Sequence, residues 1–335
     1  MRYRDSGVDI DRANQIVRGI SELAPPTWGP RVLSRIGHFG GLFDASDLGR
    51  APVLVCSVDG VGTKTHVATL AGRYRGLGVD IVHHSVNDIL VQGARPLLFM
   101  DYVAAAQLEE SAVLEIVGGM VDACRAHACA LLGGETAEMP GTYTAGDYDV
   151  VGSIVGVAER DRLLTGEQVR VGDEVWGLPS SGLHTNGYSL ARRILLEEAR
   201  LSLDATPDGL ETNLGAALLE PHRSYFEPLW PLLQEKRLHA LVHITGGGFF
   251  DNIPRVLPAH CEAEVDPTLW EIPPLFRLIE RLGNVATEEM RRVFNLGIGM
   301  VVLVDPANVE PLLARCPEAR RIGRVVAGTG GVRFR

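Results

Sequence analysis

The feature that most constrains this chain is an apolar run at residues 52–58 that stops at a carboxylate and two glycines, Asp59-Gly60-Val61-Gly62-Thr63-Lys64. A short apolar run closed by a glycine turn reads as a buried strand. Glycines let backbone N–H groups come close to a phosphate, and a lysine adds a mobile point charge. Lysine occurs only at positions 64 and 236, and the other 30 of the 32 cationic side chains are arginine. Lys64 is therefore not routine surface charge. Spacing excludes a Walker A loop, because Thr63 stands where glycine must precede the lysine, and Thr65 breaks a G-x-G-x-x-G pattern. A plain strand-to-helix turn with a solvated lysine fits the same six residues.

At 335 residues with 46% hydrophobic side chains, the chain can bury a large core and divides most naturally into two domains. A net charge of −10 argues against a nucleic-acid or anionic-membrane surface. No apolar stretch reaches the roughly 20 residues that span a bilayer. The N-terminus has no signal-type segment. Five cysteines without a C-x-x-C pair indicate neither a disulfide framework nor zinc, so a cytoplasmic location is expected.

Strand patterns at 52–58, 96–105, 130–132 and 148–158 alternate with helical patterns at 78–92 and 108–127. A polar stretch at 159–172 marks a boundary, and the alternation resumes with strands at 174–178, 239–244 and 299–304 and helices at 188–199, 249–257 and 309–315. These elements specify a mixed α/β (α+β) fold of two α/β domains, 1–165 and 166–335. The second domain is expected to be a sheet covered by helices that completes a cleft. The first forty residues carry Pro25, Pro26, Gly37, Gly40 and Gly41 and are expected to fold over the site.

Three further clusters carry chemistry. Asn87 and Asp88 sit in a helical pattern, and Gly133-Gly134-Glu135-Thr136 follows a strand. Each acidic residue alone is as well explained by a cap or a solvated surface. Asp59, Asp88 and Glu135 together would repel one another unless a hard cation sat among them. Residues 180–187, rich in hydroxyls and glycine with His184 and Asn186, precede a helix and suit a phosphate monoester. The ordinary alternative is an N-cap. His83 and His84 are read as structural, because neighbours in a helix point apart. His243 ends an apolar strand just before Thr245-Gly246-Gly247-Gly248. It suits either proton transfer or a buried structural role.

In order and spacing, these pieces resemble the phosphoribosylformylglycinamidine cyclo-ligase (aminoimidazole ribonucleotide synthetase) family. The likeness spans Tyr3-Arg4-Asp5-Ser6-Gly7-Val8-Asp9-Ile10-Asp11, residues 59–64, 86–88, 92–94, 133–140, 180–189, 243–249, 252–255 and 294–300. The resemblance implies ATP-dependent closure of formylglycinamidine ribonucleotide to aminoimidazole ribonucleotide by a homodimer whose N-terminal sheets pair. It implies Mg²⁺ on Asp59, Asp88 and Glu135, and nucleotide against Gly60, Val61, Gly62, Thr63, Lys64, Asn87, Gly133, Gly134 and Thr136. Substrate would meet Ser181, Gly182, His184, Thr185, Asn186, Thr245, Gly246 and Gly247, with His243 and Lys64 as catalytic groups. Val58, Ser85 and Arg95 stand where the family usually has Thr, Cys and Glu, and none of them is a proposed ligand. A non-catalytic nucleotide sensor would need only the loop at residues 59–64, and retaining all four clusters goes beyond that role. The related selenophosphate synthetases, thiamine monophosphate kinases and hydrogenase-maturation enzymes would share the carboxylates. The motif at residues 3–11 argues against them.

Overall fold

The computed structural model describes residues 10–34, 36 and 42–335, with 10–14 as backbone only. Residues 3–9 of the N-terminal motif, and Gly37, Gly40 and Gly41, lie outside them. The chain divides into two units. One takes the described residues up to Ile89 together with Ala94–Glu159, and the other takes Leu90–Gly93 with Arg160–Arg335. Residues 160–165, assigned by sequence to the first domain, thus group with the second. The Leu164 amide donates to the Gln92 carbonyl at 3.1 Å, and Arg162 bonds the Gln234 side chain at 2.7 Å.

In the first unit, β1 (Pro52–Gly60), β2 (Arg95–Ala105), β3 (Ala130–Glu138) and β4 (Tyr148–Glu159) form a sheet in the order β1-β4-β2-β3. β4 is antiparallel to β1 and β2, whereas β3 runs parallel to β2. Helices α1 (Ile10–Leu23), α2 (Lys64–Ala71), α3 (Arg75–Leu90) and α4 (Glu110–Ala126) complete the unit. Phe99, Ile154 and Gly152 face α3, where a Cβ on Gly152 would stand 2.7 Å from Ile81. α3 and α4 cross at glycine: a Cβ on Gly78 would lie 1.8 Å from the Ile116 carbonyl oxygen. The other face of the sheet is open, with Leu54 57%, Val58 66% and Met100 38% exposed.

Part of the N-terminal stretch expected to cover the site lies outside the described residues; within the described part, residues 16–28 are anchored to the first unit. Ile16 and Ile20 of α1 are buried, Gly19 lies against Leu114 of α4, and Thr27 and Trp28 bond the backbone of Leu131.

The second unit holds a six-stranded sheet built from β5 (Glu174–Pro179), β6 (Ala240–His243), β7 (Cys261–Val265), β8 (Ile298–Val304), β9 (Arg320–Ala327) and β10 (Val332–Phe334), ordered β10-β7-β9-β5-β8-β6. All pairs are antiparallel except β10 with β7. Every residue of β8 is buried, so the strand is covered on both faces. Its helices are α5 (Tyr188–Arg192), α6 (Leu214–Leu219), α7 (Phe226–Gln234), α8 (Gly248–Asn252), α9 (Pro274–Gly283), α10 (Thr287–Val293) and α11 (Val309–Arg315). Leu229 and Leu232 of α7 and Leu312 of α11 pack with Leu178, Met300 and Val302 in one cluster. The helix expected at 188–199 changes to π-helical winding at Arg193–Glu198.

Candidate functional site

Four polar contacts run along α3 of the first unit. Its residues 80, 84 and 88 are spaced by four and therefore share one helical face. Asp80 meets Lys64 at 2.8 Å, His84 meets Asp59 at 2.8 Å and Asp88 at 3.5 Å, and Ser57 donates to Asp88 at 3.1 Å. Burial works against a charge on His84, but the two carboxylates outweigh it and push the imidazole up to about 10. Burial would raise the Asp59 carboxyl, yet the His84 hydrogen bond and charge bring it below the usual carboxylate range. His84, read from the sequence as structural, stands between Asp59 and Asp88, and the two carboxylates favour its charged form.

Lys64, expected on a phosphate, is the first residue of α2 and has 0% exposure, as does its partner Asp80. Its ammonium is spent on a buried ion pair. Asn87 is also fully buried. Gly60 ends β1, Val61, Gly62 and Thr63 form the turn between β1 and α2, and the Asp59 carboxylate accepts from the Gly60 amide at 2.7 Å.

Glu135 does not join Asp59 and Asp88 within this chain. Asp59, Gly152, Asp101 and Gly134 lie in one row across the sheet, and Glu135 sits in the next row with Tyr102 and Val151. Adjacent rows face opposite sides of a sheet, and three interstrand spacings separate β1 from β3 by about 14 Å. Nor do Gly133, Gly134 and Thr136 form a turn, because β3 runs through them to Glu138. At Gly134 the missing side chain makes room for Asp101, whose Oδ1 would lie 2.3 Å from a Cβ there. Burial pushes the Asp101 carboxyl up to about 7.

In the second unit the two expected substrate loops do meet. A Cβ on Gly246 would stand 3.4 Å from Asn186 Oδ1. The Ser181 amide donates to His184 Nε2 at 3.2 Å, and its hydroxyl donates to the Pro221 carbonyl at 2.6 Å. The Gly182 carbonyl accepts from Ser180 and from the Asn295 amide, each at 2.9 Å. Thr185 is buried, and Thr245 bonds Asn252 at 3.3 Å. Gly247 precedes α8, and Asn252 Nδ2 donates to the Gly246 and Gly248 carbonyls. α8 is five residues long, too short for a developed helix dipole, whereas α5 runs on into the π-helical segment Arg193–Glu198. An anion placed here would meet loop amides and hydroxyls.

His243 is buried at the end of β6, and its Nε2 lies 3.0 Å from Nε2 of His222. His222 in turn stacks on His184 at 3.9 Å and 22°. Gly299 of β8 leaves room for this group, since a Cβ there would fall 2.5 Å from His184 Cε1 and 2.1 Å from Tyr225 Oη. Sequence reasoning missed His222, Asp101, Asp80 and the role of His84. The spacing of 80, 84 and 88 was a usable signal for two of them; His222 carries no local one.

Family models described as AIR synthase related protein match residues 44–158 (N-terminal domain) and 170–334 (C-terminal domain). A phosphoribosylformylglycinamidine cyclo-ligase of Geotalea daltonii is 48% identical over 314 residues, covering 93% of this chain and 90% of the relative. One from Myxococcus xanthus is 48% identical over 334 residues, covering 98% and 96%. Among solved structures, a thiamine-monophosphate kinase from Stenotrophomonas maltophilia superposes with a TM-score of 0.69 at 19% identity, covering 96% of this chain and 95% of that one. Hydrogenase maturation protein HypE in complex with ATP gives 0.68 at 19%, covering 95% and 90%. At that identity these structures share the fold. The relatives carry more: over nearly its whole length, this chain belongs to the phosphoribosylformylglycinamidine cyclo-ligase family.

Proposed function

We propose that this protein closes formylglycinamidine ribonucleotide to aminoimidazole ribonucleotide at the expense of ATP, releasing ADP and phosphate. The carrying observation is 48% identity to a cyclo-ligase across 98% of the chain. The formyl oxygen attacks the γ-phosphorus of ATP and displaces ADP, the amidine nitrogen then attacks the activated carbon, and the carbon–oxygen bond breaks to release phosphate as the nitrogen gives up a proton. Such chemistry asks the protein mainly to position groups and to neutralise charge.

The oxygen donors of Asp59 and Asp88 share one partner and stay partly open, at 44% and 24% side-chain exposure. They suit a hard cation such as Mg²⁺, which when bound would neutralise nucleotide phosphates. Lys64 supports this loop from beneath through Asp80. Ser181, Asn186, Thr245 and the backbone at Gly246 and Gly247 would hold the ribose phosphate, and His243 would take the amidine proton or hold the formyl oxygen. The open face bearing Leu54, Val58 and Met100 fits a homodimer through the first unit, since exposed apolar sheet surface is a liability in a monomer. Five free cysteines, four of them buried, suit a reducing cytoplasm.

The test is phosphate release from ATP by the purified protein with formylglycinamidine ribonucleotide present or absent. Release that depends on this substrate, with a product absorbing as an aminoimidazole, is expected. ATP turnover that ignores it would refute the reading.

A further inference from the structure

We propose that His222 is a positioning residue for His243, fixing its ring and choosing which ring nitrogen carries the hydrogen. The inference deepens the reading above and rests on it for the role of His243. The two Nε2 atoms are 3.0 Å apart and both rings are buried. A neutral imidazole has one N–H and one lone pair, so one Nε2 must donate and the other accept. The tautomers are therefore locked to one another. With His243 donating from Nε2, its lone pair is on Nδ1, the form a proton acceptor needs, and His222 carries its hydrogen on Nδ1.

The lock has a rigid support. His222 is held face-on by His184 at 3.9 Å. His184 is held by the Ser181 amide at 3.2 Å, in a left-handed backbone conformation of φ +61°, uncommon for a residue with a side chain. The rings of His222 and His243 meet edge-on at 5.1 Å and 60°, so the hydrogen bond, rather than stacking, fixes their relation. The trio is not arranged as a metal site, although its ring nitrogens lie within 4.8 Å of one another. Metal ligands need in-plane lone pairs that converge, and stacked rings inclined by only 22° direct theirs side by side.

The experiment compares wild type with His222→Phe, which keeps a flat ring but no hydrogen bond, and His222→Gln, which restores a donor and an acceptor near the same place. His222→Phe is expected to lower kcat about ten- to a hundredfold, the range for one buried hydrogen bond, with KM for both substrates within about twofold. His222→Gln should recover most of kcat. Histidine ¹⁵N spectra of the free wild-type protein should show opposite tautomers for residues 222 and 243, and His243 should lose its single tautomer in His222→Phe. Melting curves check that the variants fold. Unchanged kcat in His222→Phe, a rise in KM alone, or a mixed tautomer at His243 in wild type would each overturn the proposal. If wild type shows no substrate-dependent phosphate release, the functional reading fails. The tautomer spectra still decide the positioning role, including where a variant does not fold.

Discussion

Lys64 and Asp80 offer the sharpest test of how the first unit is built. Both side chains have no exposure, and their charged atoms lie 2.8 Å apart. In Lys64→Met the carboxylate loses its ammonium while staying buried, a change that costs about 3–5 kcal/mol. For a unit of this size each kcal/mol moves the melting point by about 2–4 °C, so a fall of roughly 6–20 °C is expected in protein free of nucleotide. Calorimetry and urea unfolding read it directly. Lys64→Met combined with Asp80→Leu should regain most of the loss, because an apolar pair of similar volume replaces a desolvated ion pair at little cost. Had the ammonium faced a phosphate, Lys64→Met would melt within a degree or two of wild type and lose ATP affinity instead. That outcome would refute the buried-pair reasoning.

Three further expectations follow from single positions. Burial, with His83 beside it, lowers His127 from 6.5 to about 4; between those values the unfolded chain binds a proton that the folded one refuses. Stability should therefore fall as pH drops through this window, by at most about 3 kcal/mol, and pH-dependent unfolding of His127→Gln should show a flatter acid limb. Gly78→Ala places a Cβ 1.8 Å from the Ile116 carbonyl oxygen, so it should cost at least about 2 kcal/mol by urea unfolding as α3 and α4 are pushed apart. Val58→Lys puts a charge on the open sheet face, where Val58 is 66% exposed. If the proposed homodimer forms through this face, light scattering at micromolar concentration should show a dimer for wild type and a monomer for the variant, with the melting point changed by only a few degrees.

Much of the architecture is legible because apolar runs and helical periodicity are local. The strands at residues 52–60, 95–105, 148–159 and 298–304 match their hydrophobic runs to within two residues. The three strands that the pattern misses, β7, β9 and β10, are rich in charge. Glu264 sits opposite Arg324 of β9 and Arg333 of β10 and bonds both at 2.9 Å. A glutamate flanked by apolar residues carries little strand propensity of its own; its partners lie about sixty residues away in sequence. Cross-strand charge pairing decides the structure there, and it is invisible to any local window.

The candidate site shows the same division between what is local and what is not. The scarcity of lysine draws attention to Lys64, but scarcity cannot say whether a charge faces a ligand or a buried carboxylate. The sequence argument groups Asp59, Asp88 and Glu135 around one cation, whereas in the structure it is Asp80, Asp59 and Asp88 that face a basic side chain. For Asp80 that cation is Lys64, and for Asp59 and Asp88 it is His84. The information lay in the spacing of Asp80, His84 and Asp88, which puts one acidic, one basic and one acidic group on a single helical stripe against a strand bearing Ser57 and Asp59. A stripe of that composition inside an otherwise apolar helix must be matched by charge from the element it packs on, because unmatched buried charge is not tolerated. Read that way, the helix predicts a polar partner strand. It places the partly exposed carboxylates of Asp59 and Asp88 at the end of the stripe away from Lys64.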